Sequence, residues 1–325
     1  PRTRVGLVGC GYIGTRHLEK LLAWDDVAVV AVADADPARA EATAGVAGSR
    51  AYADGGELIA YEDLDAVWIC VPPFAHGAVE RAAVDRGLPF FVEKPLAAEL
   101  ETAEAIGRAV ADAGLLTSVG YHWRYLDTVG AARDLLRANA PRLALGFWLD
   151  ATPPPAWWRV ERTSGGQMVE QATHLFDLVR LLVGEPVSVF AAGSRCERAA
   201  FPGSDIFDVS TATMRFGVDA VATIHATCIL DAPHRIGLQL VAEGLTIELT
   251  EDELTVDRDG ARRTQPVGVD PFLAEDRGFV DAVQGRPANV RVPYAEALAT
   301  HRLAAAAARS ARDGAPVDLP EAELV

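Results

Sequence analysis

Over the first 120 positions the chain alternates short apolar runs with stretches of helical spacing. Val5–Cys10, Val27–Ala33, Ala66–Val71 and Pro89–Val92 are nearly unbroken apolar runs, and Leu116–Val119 reads as a further strand. Between them, Thr15–Ala23, Pro37–Thr43, His76–Arg86 and Glu99–Ala113 read as helices. Strands that are apolar on both sides need cover on both sides, and crossover helices supply it in a parallel sheet. Pro37 suits the first turn of its helix, where the missing N–H is no loss.

The texture changes after residue 125. Thr128–Ala138 predicts one more helix and Leu143–Leu149 a strand. Met168–Val183 predicts a single long helix, stopped by Gly184. Farther on, Ile206–Phe216, Ala220–Ile229, Arg235–Val241, Leu245–Leu249 and Glu253–Val256 alternate instead of running apolar. That pattern predicts antiparallel strands with one covered face. Helices are expected over Ala274–Val283 and Tyr294–Ser310, and the alanine run Ala304–Ala308 fits plain helix. No internal repeat is visible. The fold class is therefore α/β, with a parallel N-terminal domain over residues 1–122. An α+β domain with a mainly antiparallel sheet follows over 123–325.

Composition narrows the function. A chain of 325 residues, half of them hydrophobic, is long enough for two cores. The 46 acids against 30 bases leave a net charge of −16, which repels phosphate backbones and anionic membranes. No nucleic-acid partner and no membrane partner is expected. No apolar run approaches the ~20 residues of a membrane span. Arg2 and Arg4 lead into a short strand and then glycines, so no signal peptide is expected. Cys10, Cys70, Cys196 and Cys228 are widely spaced and form no CxxC pair, which points to a reducing cytoplasm without disulfides or zinc. An open sheet face of alternating Val, Ile, Thr and Phe needs cover, so a homodimer or homotetramer is expected.

Gly9-Cys10-Gly11-Tyr12-Ile13-Gly14 follows the first strand and opens a helix. Gly9 permits the tight turn, Gly11 lets the backbone approach a pyrophosphate, and Gly14 lets the helix pack close to the sheet. The helix N-terminus then offers unpaired N–H groups to the anion. Asp34 ends the second strand, where a carboxylate bonds ribose hydroxyls and repels a 2′-phosphate. Ala35-Asp36-Pro37 holds no arginine for that phosphate, which favours NAD over NADP. Asp36, just before Pro37, is the better cap for the next helix.

With this loop, Asp34 and Glu93-Lys94-Pro95 together, the chain resembles the Gfo/Idh/MocA family of oxidoreductases. The resemblance extends through VPPFAH (71–76), VEKPLA (92–97), GYHWRY (120–125) and SGGQMVEQATHLFD (164–177). It implies NAD(P) on a Rossmann domain, with a sugar, cyclitol or related polyol oxidised or reduced at a carbinol carbon. It also implies a catalytic set of Lys94, Glu170 and His174. Many relatives have Asp at the position of Glu170 and Asn at that of His122. The cofactor contacts expected from loop and resemblance together are Gly9, Gly11, Tyr12, Ile13, Gly14, Asp34, Val71, Pro72, Pro73, His76, Glu93, Lys94 and Arg124.

The chemistry also follows from the residues. Oxidising an alcohol needs a hydride acceptor and a base for the hydroxyl proton. Lys94 stands between an apolar strand and a proline, where partial desolvation lowers a lysine's pKa toward working pH. It can also be read as an ordinary surface lysine. Glu170, His174 and Asp177, at i, i+4 and i+7 of the expected long helix, would share one face and suit a proton relay. A structural hydrogen bond would suffice to explain Asp177. The spacing also resembles a metal pair, but no further Cys or His lies nearby, and no metal is expected. Pro153–Arg159 presents Trp157, Trp158 and Arg159. A tryptophan face suits a sugar's C–H face and Arg159 its hydroxyls, with Trp157 the one expected in the core. The substrate contacts are thus Lys94, His122, Trp158, Arg159, Glu170, Thr173 and His174. Arg124 could touch cofactor or substrate, or lock the domain boundary. Besides a sugar or cyclitol dehydrogenase, two readings stay open. One is an NAD-dependent glycosidase working by transient oxidation, and the other a non-catalytic NAD- or sugar-binding regulator.

Overall fold

A computed structural model describes residues 2–319. The chain forms two compact units, and the first is discontinuous: residues 2–125 are joined by Asp270–Leu298. The second comprises Leu126–Val269 and the chain from Ala299 on.

The first unit begins β1 (Thr3–Val8), α1 (Tyr12–Leu22), β2 (Val27–Ala33), α2 (Pro37–Ala47), β3 (Arg50–Tyr52), α3 (Gly55–Tyr61) and β4 (Ala66–Ile69). It continues α4 (Ala78–Arg86), β5 (Phe90–Val92), α5 (Leu100–Ala113) and β6 (Thr117–Val119). The six strands pair in parallel in the order β3-β2-β1-β4-β5-β6, the doubly wound dinucleotide-binding order. Both faces are buried. Val8, Ala31, Ile69 and Phe90 pack into one core, and Leu7, Val32, Trp68 and Phe91 into the other.

The second unit begins with α6 (Asp127–Leu136), β7 (Leu143–Ala151) and three helical pieces, α7 (Glu161–Ser164), α8 (Gln167–Glu170) and α9 (Thr173–Leu182). Then come β8 (Pro186–Ser194), β9 (Val209–Phe216), β10 (Val221–Leu230), β11 (Arg235–Ala242), β12 (Leu245–Leu249), β13 (Glu253–Arg258) and β14 (Ala261–Pro266). α10 (Pro271–Val283) follows in the first unit. α11 (Tyr294–Asp313) starts in the first unit and ends in the second, where β15 (Val317–Asp318) adds the last described strand. The sheet runs β14-β13-β12-β11-β7-β10-β9-β8-β15, antiparallel throughout except for the parallel pair β7–β10. Ala212, Met214, Ala222 and Ile224 line its buried face, and α9 contributes Leu175, Phe176, Leu178 and Val179 to the interior. No described helix is long and apolar enough to cross a membrane.

Three expectations differ from this structure. A single cut at 122/123 does not describe the chain, because Asp270–Leu298 packs with the first unit. Phe279 of α10 stands edge-on to Trp68 at 5.2 Å. α10 also starts earlier than expected, since Asp270 accepts from the backbone N–H groups of Phe272 and Leu273 and Pro271 occupies the first turn. The long helix over 168–183 is two helices. The Ala172 N–H reaches back to Gln167 O, and the ladder restarts at Thr173.

Candidate active site

The glycine loop leaves β1 at Gly9, whose φ of +94° lies in the left-handed region. A Cβ on Gly9 would stand 2.2 Å from Cys70 O, and one on Gly14 1.9 Å from Gly9 O, so both positions require glycine. Gly11 is different: nothing lies within 4 Å of where its Cβ would be. It caps α1 without a side chain, and the first turn holds no acid. The exposed N–H groups and the dipole end are therefore open to an anion, and the loop fits a dinucleotide pyrophosphate. Tyr12 stands in solvent beside it, while Ile13 packs into the core.

Asp34 ties this loop to the end of β2. Its Oδ2 accepts from the Cys10 N–H at 2.8 Å and its Oδ1 from the Asp36 N–H at 2.9 Å. Asp36 caps α2, accepting from the Ala38 and Arg39 N–H groups. One residue was missed by the sequence reading. Arg39, from the first turn of α2, brings Nη1 to 3.5 Å from both Asp34 oxygens, and its side chain is half exposed. The signal in the sequence is an arginine five residues past the acid, just beyond Ala35-Asp36-Pro37.

Val71 and Pro72 are half-buried and Pro73 buried ahead of a short turn. His76 is buried, with Nδ1 2.5 Å from Glu80 Oε1, and Glu80 also accepts from the Gly77 N–H. The Nε2 of His76 has no partner among the described residues. Lys94 is half-buried after β5. The chain has one other lysine, Lys20, whose Nζ lies 2.6 Å from Asp270 Oδ2. Glu93 departs from expectation. Its carboxylate is enclosed rather than offered to a cofactor: Oε1 meets His17 Nε2 at 3.1 Å and Oε2 accepts from the Lys94 N–H at 3.0 Å. His122 and Arg124 are buried in the turn after β6. The His122 ring stacks on Phe272 at 4.2 Å, and Arg124 Nη2 donates to Glu296 Oε1 at 2.8 Å.

In the second unit Trp158, not Trp157, is the tryptophan that fills the core, with Trp157 packed against the same cluster. Trp158 is 1% exposed and packs against Ile206 and Cys228, while Trp157 is half-buried. Trp158 therefore presents no platform to a sugar. Its Nε1 donates to Glu170 Oε2 at 2.6 Å and so fixes that carboxylate at the end of α8. The guanidinium of Arg159 lies over the Phe201 ring at 4.9 Å. Thr173 and His174 are buried at the start of α9, and the His174 ring stacks with Trp148 at 5.8 Å. Glu170 and His174 thus sit on separate helices, not on one face of a continuous helix. Asp177 accepts from Thr300 Oγ1 at 2.8 Å, and Thr300 accepts from Arg180. That chain gives Asp177 a structural role.

Residues 3–121 match the Gfo/Idh/MocA oxidoreductase family, NAD-binding Rossmann fold, and residues 140–248 match the Gfo/Idh/MocA C-terminal domain. Myo-inositol dehydrogenase Hyg17 of Streptomyces leeuwenhoekii is 30% identical over 95% of this chain and 98% of its own. The chain belongs to the Gfo/Idh/MocA family of oxidoreductases. Inositol 2-dehydrogenase 4 of Saccharopolyspora erythraea is 29% identical over 77% of this chain and 74% of its own. A solved levoglucosan dehydrogenase, in complex with NADH and levoglucosan, has the same fold. It superposes with a TM-score of 0.87 at 23% identity, over 99% of this chain and 100% of that one. As a member of this family, the protein is an NAD-binding oxidoreductase.

Proposed function

We propose that the protein oxidises a ring carbinol of a cyclitol or a closely related sugar, with NAD preferred to NADP. The observation that carries this reading is the near end-to-end likeness to a myo-inositol dehydrogenase. The resemblance adds a catalytic set of Lys94, Glu170 and His174, with Glu170 standing where many relatives have Asp. When bound, NAD supplies the hydride acceptor. Lys94 takes the hydroxyl proton, and His174 passes it on or steadies the oxygen that becomes the carbonyl. Glu170, held by Trp158, bonds the substrate's hydroxyls or orients the imidazole. The preference for NAD rests on the anchored Asp34 carboxylate, which would face a 2′-phosphate charge to charge. The buried Cys10, Cys70 and Cys228 are free thiols, which supports a reducing cytoplasm as the place of action.

The test is a screen of inositols, sugars and uronic acids read by NADH absorbance, with Lys94→Ala as the control. Turnover is expected with a cyclitol or pyranose. Lys94→Ala is expected to lose about 10²–10⁴ in kcat and to bind NAD as the wild type does. Sugar released with no net NADH would move the reading to a glycosidase. NAD binding without turnover would move it to a regulator.

A further inference from the structure

Beneath Lys94 lies a cluster that no step above uses. His17, on α1 and three residues past the last loop glycine, is completely enclosed. Its Nδ1 is 2.9 Å from both oxygens of Asp276, on α10, and its Nε2 is 3.1 Å from Glu93 Oε1. Asp276 is fixed in turn by Trp68 Nε1 at 2.8 Å. Glu93 lies flush against Gly120, where any Cβ would be 2.4 Å from its Oε1. The other Glu93 oxygen holds the Lys94 N–H.

A neutral imidazole has one N–H and one acceptor nitrogen. Here both nitrogens face carboxylate oxygens, which accept when ionised. Burial pulls the His17 pKa down, but the charge and hydrogen bonds of Asp276 and Glu93 outweigh it and raise it well above the ordinary value. Glu275, beside Asp276, has no hydrogen-bond partner for either oxygen among the described residues, and burial together with the Glu93 charge pushes its pKa well up, which favours its neutral form. Cys70, likewise pushed well up by burial, is a neutral thiol. Arg16, from the same helix as His17, stands over Phe272, and the His17 ring packs tilted against Phe91 at 4.9 Å and edge-on to Phe272 at 5.9 Å.

We propose that His17 is a positioning residue for Lys94: a buried imidazolium that clamps Glu93 and thereby fixes the lysine's turn to the cofactor-binding helix. The role of Lys94 in it rests on the dehydrogenase reading, but the clamp does not. Its ring carries protons on both nitrogens. The Nδ1 side anchors to α10, and the Nε2 side holds the turn.

Asparagine and glutamine separate the two sides, because an Asn amide reaches about where Nδ1 sits and a Gln amide about where Nε2 sits. His17→Asn is expected to lower kcat at least thirtyfold with the NAD KM within threefold. His17→Gln, which still reaches Glu93, is expected to keep at least tenfold more kcat than His17→Asn. Equal losses in the two variants, or a raised NAD KM with kcat intact, would overturn the proposal. Two measurements do not need turnover. In 15N-histidine NMR of the wild type at pH 8, both His17 nitrogens should be protonated. A neutral ring with bare Nε2 would overturn the clamp and favour a cation among His17, Glu93 and Glu275, whose donor atoms lie within 4.8 Å of one another. In hydrogen exchange, the Lys94 amide of His17→Asn should exchange at least tenfold faster while the β1 amides keep their rates. An unchanged Lys94 amide would sink the proposal even if the enzyme proved to be a dehydrogenase.

Discussion

Two side chains of opposite charge stand at the end of β2, and on the proposed NAD reading they are the ones that decide the fate of a 2′-phosphate. Asp34 is held by two backbone N–H groups and has little freedom. Arg39 is half exposed and 3.5 Å away, long for an ion pair, so it contributes little to stability and can turn toward another anion. The fixed carboxylate therefore dominates and the guanidinium moderates it. Asp34→Ala should weaken NAD and narrow its advantage over NADP at least tenfold, because the repulsion disappears and Arg39 is released. Arg39→Ala should widen the advantage, since NADP alone loses a phosphate partner. Both are read as ratios of kcat/KM, and a wild type that prefers NADP would refute the argument. The turn at Gly9, the close packing at Gly14 and the place of Asp34 were legible from sequence because they are local, set by one turn and one strand end. The acceptors of His17 were not, because Asp276 lies 259 positions away and Glu93 76.

Spacing is a good guide to the existence of elements and a poor one to their continuity. The parallel strands and their helices were readable because continuous apolar runs have few alternatives. The break at Gln171–Ala172 leaves no mark in the hydrophobic pattern. It follows from the anchoring of α8, where Gln167 Nε2 donates to the Thr227 backbone of β10 and to Gln171 Oε1. Nor does pattern tell two adjacent tryptophans apart. β14 was missed because all six of its residues are exposed, and β3 because none of its three is buried, unlike the equally short β5 and β6. The break gives Glu170 its own support, the indole of Trp158, and that support can be tested. Trp158→Phe removes the donor, and Glu170→Asp shortens the acceptor by one methylene, away from it. A hydrogen bond to a charged group contributes about 1.5–3 kcal/mol, so each change should cost kcat roughly tenfold or more. Since both break one bond, the double variant should be little worse than either single one. Fully additive losses would show that the bond does not position the carboxylate.

At the scale of the whole chain, the return of Asp270–Leu298 to the first unit was beyond sequence reading. Amphipathic spacing shows that a helix needs a partner but not which sheet supplies it. The opposite surface of the nine-stranded sheet was read more directly. Cross-strand register puts Phe190, Thr213, Thr223 and Leu145 in one row, and Ala192, Thr211, His225 and Phe147 in the next. Val209 and Val221 lie on the same face, and with Phe190 they are 38–46% exposed. Phe147 stacks on His225 at 5.6 Å and carries Arg235 over its ring. A wide apolar face of this kind, on a chain whose charge of −16 otherwise keeps copies apart, marks an interaction surface. We propose that a second copy of the chain covers it. Light scattering on the purified protein should give at least twice the 34.5 kDa of one chain. Phe190→Glu combined with Val221→Glu should return the mass to one chain. Both side chains are exposed in the single chain, so the fold should survive, with far-UV circular dichroism unchanged. A wild type that is monomeric at micromolar concentration, or a double variant that stays assembled, would show that this face is not where the copies meet.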